Sequence, residues 1–275
     1  MSRLLEFGRS GKALWAAVFA ASVICLAGDA QAGDVYISEI FFNLPGDPDA
    51  DEFIELRGTA SENLADHFLV FLENENGPST DPGIVEAFFN LGLANNGSAG
   101  SLGSNGYALL LPKNRDHSIT AAANTNVYTN AGTGAGYGIS NSTIGFSQET
   151  GRDGYLENSG FTALLFKNTS GSAPTLRQDL DSNDDNIVDY AGLGWTYKDA
   201  VGLIAESDDV ATGEVFAHVN FSVNDGSGND LASASRPASD SHWNTQQALQ
   251  GNVSAFDEIE YIARQGTESD NDRAS

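Results

Sequence analysis

The sequence predicts an all-β domain, and three observations carry that expectation. Thirty glycines, with many Asn, Ser, Thr and Asp, cut the 275 residues into short apolar runs. No long stretch places apolar residues at helical spacing. The runs that remain are bounded by turn-forming residues and are rich in β-branched and aromatic side chains, which suit a pleated, half-buried surface.

Taken in order, the expected strands are residues 35–42, 52–57, 68–73, 107–112, 161–167, 200–205 and 215–219. The second shows the logic most clearly. In Glu52-Phe53-Ile54-Glu55-Leu56 alternate side chains point to opposite faces, so one face buries Ile54 and Leu56. Glu39 and Glu55 stand out because each sits among apolar neighbours, where an unpaired carboxylate is costly to bury. They are expected at strand edges with their heads in water, the alternative being ligands or salt-bridge partners. Segments 94–106 and 124–147 are long and Gly/Asn/Ser-rich, and they are expected as surface loops. A helical turn is expected around 245–250 and another around 255–264.

Residues 1–32 read as a cleavable secretory signal. Arg3, Arg9 and Lys12 precede an apolar run from Ala13 to Gly28, and Ala30-Gln31-Ala32 supplies a small-x-small cleavage site. The apolar run is shorter than the roughly 18 to 20 residues that span a bilayer, so no membrane insertion is expected after cleavage. Cleavage after Ala32 removes three of 13 basic residues, two of 38 acidic residues and the single cysteine, Cys25. Ten basic residues then face 36 acidic ones, a formal charge of −26. Such a surface repels phosphate backbones, so nucleic acid is excluded as a partner, and it attracts cations. An exported chain without cysteine has no disulfides to staple it and depends on its core, on bound metal, or on both. Residues 33–264 are expected to form one domain. The polar tail, 265–275, is expected to be disordered.

The segment Val35-Tyr36-Ile37-Ser38-Glu39-Ile40-Phe41-Phe42, the acidic turn 45–51 and Glu52-Phe53-Ile54-Glu55-Leu56 resemble the opening of bacterial lamin-tail-like domains. Leu64-Ala65-Asp66-His67-Phe68-Leu69-Val70-Phe71 is similar to that family's third element, a polar turn leading into a strand packed on the first two. The resemblance covers residues 35–72. It implies an immunoglobulin-like β-sandwich, secreted or surface-exposed, acting as an interaction module without catalytic residues of its own. This chain is far longer than a minimal lamin tail, so it is expected to carry long loop insertions.

The most specific chemical pattern is Asp179-Leu180-Asp181-Ser182-Asn183-Asp184-Asp185-Asn186-Ile187-Val188-Asp189. Counted from Asp181, oxygen-bearing Asp181, Asn183, Asp185 and Asp189 fall at positions 1, 3, 5 and 9 of a calcium loop. Ile187 stands at position 7, where the backbone carbonyl is the ligand. Position 6 calls for a residue that tolerates the left-handed conformation and is Asn186; position 8, the anchor to the core, is Val188. Position 12 is Gly192, so the usual closing carboxylate must come from elsewhere. The expected cofactor is therefore calcium, bound weakly. A second acidic run, Asp47-Pro48-Asp49-Ala50-Asp51-Glu52, lacks this alternation and is expected as a solvated loop.

Motifs for catalysis are sparse. No G-x-S-x-G elbow, zinc-binding His pair or phosphate loop occurs. His67, His117, His218 and His242 stand singly and are expected as surface or strand residues. Paired carboxylates for hydrolysis remain open, because their separation is invisible in sequence. Tyr128, Tyr137 and Tyr155 are candidates for a carbohydrate face or for packing. The sequence therefore predicts a secreted, calcium-stabilised, non-catalytic module that binds an extracellular macromolecule or the cell surface. The alternatives are a secreted hydrolase of polysaccharide or phosphodiester bonds and a calcium-dependent matrix component.

Overall fold

The computed structural model describes residues 35–42, 51–76, 81–116, 118–139, 142–217, 219–223, 251–252 and 261–264. The expected signal, the turn at 245–250, the tail, most of the 45–51 turn, and His117, His218 and His242 lie outside them. Among these residues twelve strands run in the order β1 (Val35–Phe41), β2 (Phe53–Gly58), β3 (His67–Glu73), β4 (Val85–Asn90), β5 (Tyr107–Leu111), β6 (Asn126–Thr129), β7 (Phe146–Gln148), β8 (Gly160–Asn168), β9 (Trp195–Ile204), β10 (Asn220–Ser222), β11 (Gly251–Asn252) and β12 (Tyr261–Ala263). Short 3-10 turns occur at Leu91–Leu93 and Asp209–Ala211. Among the described residues no helix is long and apolar enough to cross a membrane.

The strands form a five-stranded sheet, β12-β1-β2-β5-β6, and a seven-stranded sheet, β11-β10-β9-β8-β3-β4-β7, in a sandwich-like arrangement. Most pairs are antiparallel, while β5–β6, β9–β10 and β10–β11 are parallel. Between the sheets, Ile37, Ile40, Ile54, Leu56 and Leu110 from one side meet Leu69, Phe71, Phe89, Phe161 and Leu165 from the other. Phe161 packs edge-on against Phe42 at 5.1 Å and Phe71 at 5.2 Å, so one ring spans the layers.

β3 is buried at all seven positions because both of its faces are covered. Leu69 and Phe71 enter the inter-sheet core, whereas Phe68, Val70 and Leu72 join a second cluster with Leu164, Phe166, Trp195 and Phe216. Leu180 and Val188 complete that second cluster, so the acidic segment folds over the outer face of the larger sheet. This explains the near-continuous apolar run His67-Phe68-Leu69-Val70-Phe71-Leu72.

Five expected strands match β1, β2, β3, β5 and β8, and the sixth is the end of the longer β9. The seventh is corrected: residues 215–217 form no strand, and pairing begins at Asn220. Val215, Phe216 and Ala217 are buried, and the Phe216 N–H donates to Thr162 Oγ1 at 3.2 Å instead of to a neighbouring strand. The 255–264 turn is also corrected at its end, because Tyr261–Ala263 pairs antiparallel with β1. Segment 124–147 is not one long loop, since it holds β6 and the start of β7.

A buried carboxylate joins the two sheets. Asp199 of β9 faces the core beside a bulge that leaves Lys198 unpaired in the β8–β9 ladder. Its Oδ2 accepts the Ile37 N–H of β1 at 2.8 Å, and its Oδ1 is ion-paired with Arg264 at the end of β12. Arg264 also donates to the Ile37 carbonyl and lies 5.4 Å from the Tyr36 ring centroid. Burial raises the Asp199 pKa, and Arg264 with the Ile37 N–H opposes that rise. Asp199→Ala leaves a buried N–H without an acceptor and a largely buried guanidinium without its carboxylate, with only the Ile37 carbonyl left to it. It is expected to lower the unfolding free energy by about 3–5 kcal/mol in urea titration, and a loss below about 1 kcal/mol would contradict the clamp.

Candidate functional site

The acidic segment 179–189 forms a closed loop. Its base is tied by Asp189 N–H to the Leu180 carbonyl at 2.6 Å, and buried Leu180 and Val188 pin it to the outer cluster. Asp181 is 2 % exposed; its Oδ1 accepts the Asp185 N–H at 3.1 Å and its Oδ2 the Asn186 N–H at 2.8 Å. Asn186 has φ 62 and Asp184 φ 55, so position 6 adopts the left-handed conformation that its residue type tolerates. Gly83 makes this seat possible. It has φ 88, and a Cβ there would meet the Asp181 Cβ at 2.8 Å.

The remaining oxygens of the loop are directed elsewhere. Asp185 Oδ1 accepts the Ile187 N–H at 3.0 Å and its Oδ2 the Asn183 amide at 3.1 Å, while Asp189 Oδ2 accepts the Ser182 hydroxyl at 2.7 Å. Asn183, Asp185 and Asp189 are exposed, and Ile187 is half-buried. Each carboxylate oxygen carries two acceptor directions, so these bonds leave lone pairs for a cation. Burial pushes the Asp181 carboxyl up to about 6, with Asp185 and Asp184 adding to the rise against the two amides.

Among the described residues, three carboxylates converge closely at two places, neither of them in this loop. Glu73, Glu86 and Glu157 place oxygens within 4.8 Å of one another, as do Glu206, Asp208 and Asp209. The first group is the more buried. Glu73 ends β3, and Glu86 is the extra residue of a bulge in β4, since Val85 pairs with Leu72 and Ala87 with Phe71. Arg152 reaches Glu73 at 3.4 Å, Glu86 at 3.3 Å and Glu157. One guanidinium thus faces three carboxylates. Burial, then Glu157, pushes Glu73 up to about 7; burial, then Glu157 again, holds Glu86 well above the usual carboxylate range. A shared proton or a cation resolves such crowding.

Above this group opens a cleft of about 330 Å³, lined by Arg152, Asp153, Tyr155, Glu157, Asn158 and Glu206. The second acidic group lies on its rim, where burial followed by Glu75, Asp208 and Glu206 pushes Asp209 up to about 7. Sequence spacing did not reveal these residues, which come from β3, β4 and two later turns. The available signal was a glutamate that ends or interrupts an apolar run, in Leu69-Val70-Phe71-Leu72-Glu73 and Val85-Glu86-Ala87-Phe88.

Glu39 and Glu55 are not at a sheet edge. They lie directly opposite each other on β1 and β2, inside the five-stranded sheet and half-buried. Tyr261 bonds to Glu39 and Ser38 to Glu55, and burial, then Glu39, pushes Glu55 up to about 7. His67 is a strand residue, 1 % exposed, and burial lowers its pKa to about 4. Tyr137 packs in the core against Phe89 and Phe146, Tyr128 bonds to the Ser101 carbonyl, and Tyr155 lines the cleft. No protein-family model, curated protein or solved structure matches the chain.

These carboxylates set a pH dependence. Glu55, Glu73 and Asp209 titrate near 7 and Asp181 near 6 in the native state, against about 4 in an unfolded chain. The native state therefore holds protons that the unfolded state has released, and stability falls as pH rises. The contribution is full below about pH 4 and is lost on passing through about pH 6–7. In chelator, the unfolding midpoint is expected to decline between about pH 4.5 and 7.5, with Glu73→Gln flattening the slope. A midpoint that rises over that interval would contradict the assignment.

Proposed function

We propose that this chain is a secreted, calcium-stabilised β-sandwich of the immunoglobulin-like, lamin-tail-like type. Its role in this reading is to bind an extracellular macromolecule or the cell surface without catalysing a reaction. The observation that carries the reading is the loop 180–189, whose backbone is already set by Asp181 and by its apolar anchors while Asn183, Asp185 and Asp189 face solvent. A preset oxygen-rich loop in a chain of net charge −25 favours a hard divalent cation. Calcium binding only the folded state would add stability that this chain does not draw from disulfides.

The lamin-tail-like reading draws support from the antiparallel pairing of β1 with β2 and from β3, which crosses the core opposite them. The parallel pairs around β6 and β10 fall in the later part of the chain, where insertions are expected. Export is inferred from the 1–32 signal pattern. A second reading, a secreted hydrolase of polysaccharide or phosphodiester bonds, is favoured by the cleft over Glu73, Glu86 and Glu157. Proton-sharing carboxylates beside an open cleft have the chemistry of a general acid and base.

Thermal unfolding in about 10 mM calcium against excess chelator tests the metal, and a weak extracellular-type site predicts about 1–3 kcal/mol of added stability. Asp185→Asn and Asp189→Asn are expected to abolish the shift, and an unchanged wild-type midpoint removes calcium from the proposal. Incubation with insoluble and soluble polysaccharides and with phosphodiesters separates the two functional readings. Retention on a polymer without soluble product supports binding; turnover lost in Glu86→Gln supports the hydrolase.

A further inference from the structure

The acid excess makes any gathering of cations informative, and one lines a pocket. Beyond β5 the chain continues through Pro112, Lys113, Asn114, Arg115 and Asp116, and with Ser118 and Thr129 these residues line an open pocket of about 510 Å³. Two of the 13 basic residues therefore stand one residue apart in a chain of net charge −25. Between them Asn114 adopts φ 57, which turns the backbone sharply at this point.

Lys113 is tied to the neighbouring loop, and Arg115 has a donor to spare. The Lys113 N–H donates to the Gly136 carbonyl at 3.0 Å, and its Nζ to the Gly132 carbonyl at 2.8 Å. An ammonium has three donors, and among the described residues the Gly132 carbonyl takes one of them. Arg115 Nη1 is buried and has no hydrogen-bond partner. The Tyr137 hydroxyl is likewise buried and unpartnered, and it feels the Glu52 carboxylate first and the Arg115 charge second. Buried donors are almost always satisfied, so the unpartnered N–H marks a guanidinium at the pocket wall whose hydrogen bonding the chain itself does not complete. A planar fork of N–H groups next to an ammonium matches the paired oxygens of an oxyanion. The Ser118 and Thr129 hydroxyls add donors on the same wall, and Asp116 is the acid that opposes an anion there.

We infer that the pocket around Lys113 and Arg115 binds one oxyanion group of the sulfate or carboxylate type, either as a free ion or as a substituent of an acidic polysaccharide. This site is independent of the calcium loop and of the cleft at Arg152. Calorimetric titration of the full chain with sodium sulfate, at ionic strength matched with chloride, is expected to give saturable one-site binding in the millimolar range. Lys113→Gln and Arg115→Gln are each expected to weaken it about tenfold or more. Asp116→Asn, at an exposed position that leaves the backbone contacts of Lys113 intact, is expected to tighten it about threefold. Dextran sulfate compared with dextran distinguishes the sources. Competition between dextran sulfate and free sulfate assigns the pocket to a polymer substituent, and sulfate binding alone assigns it to a free ion. Sulfate indistinguishable from chloride, or wild-type affinity in Lys113→Gln, overturns the inference, and the gain expected in Asp116→Asn keeps the test decisive if Arg115→Gln fails to fold.

Discussion

The carboxylate of Asp199 is the point through which the two sheets and the distant β12 strand are connected. Apolar contacts hold the layers together but do not fix their register, because dispersion and hydrophobic attraction carry little direction. A hydrogen bond from β9 to the Ile37 N–H, with an ion pair to Arg264, supplies the direction. Two bulges serve this geometry. One lies near Ser38 in β1 and the other at Lys198 in β9, and each shifts the ladder where the clamp forms. Removing a charge from water is costly, and here Arg264 and the Ile37 N–H offset part of that cost.

The same arithmetic governs the rest of the acid-rich chain, with different outcomes. Asp199 has a cation and amides as partners. Asp181 has amides alone, and its loop presents further acids to solvent. Glu73, Glu86 and Glu157 share one guanidinium, and Glu39 faces Glu55 with a tyrosine and a serine for support. The fold thus spans a graded series from satisfied to crowded carboxylates. The crowded end is where protons and cations have leverage on stability.

What the sequence made legible was what periodicity and local spacing encode. Strands β1, β2, β3, β5 and β8 announce themselves as apolar runs between turn residues, and the Asp181 loop shows its spacing without any long-range information. β4 escaped because Glu86 interrupts its alternation at the bulge that makes it interesting. β6, β7 and β10 are three or four residues long, too short for a pattern, and exist because longer neighbours offer free edges. Residues 215–217 read as a strand because buried apolar residues look alike whether a ladder or a plug holds them. Arg115, Lys113 and Tyr137 become a site only when the turn at Asn114 and the loop ending at Tyr137 are brought together, which no local count foresees.

The pairing of β1 with β12 bears on the order in which the molecule can assemble. Arg264 and Ile37 bond across 227 positions of sequence, and Ile37 and Asp199 across 162. Closing such spans costs chain entropy before any contact is gained, which makes the topology slow to nucleate. Among the described strands, β1 has to wait for the last in sequence, β12, to complete its sheet. Until then that edge of β1 stays unpaired, so a growing chain remains open well after its apolar segments have been made.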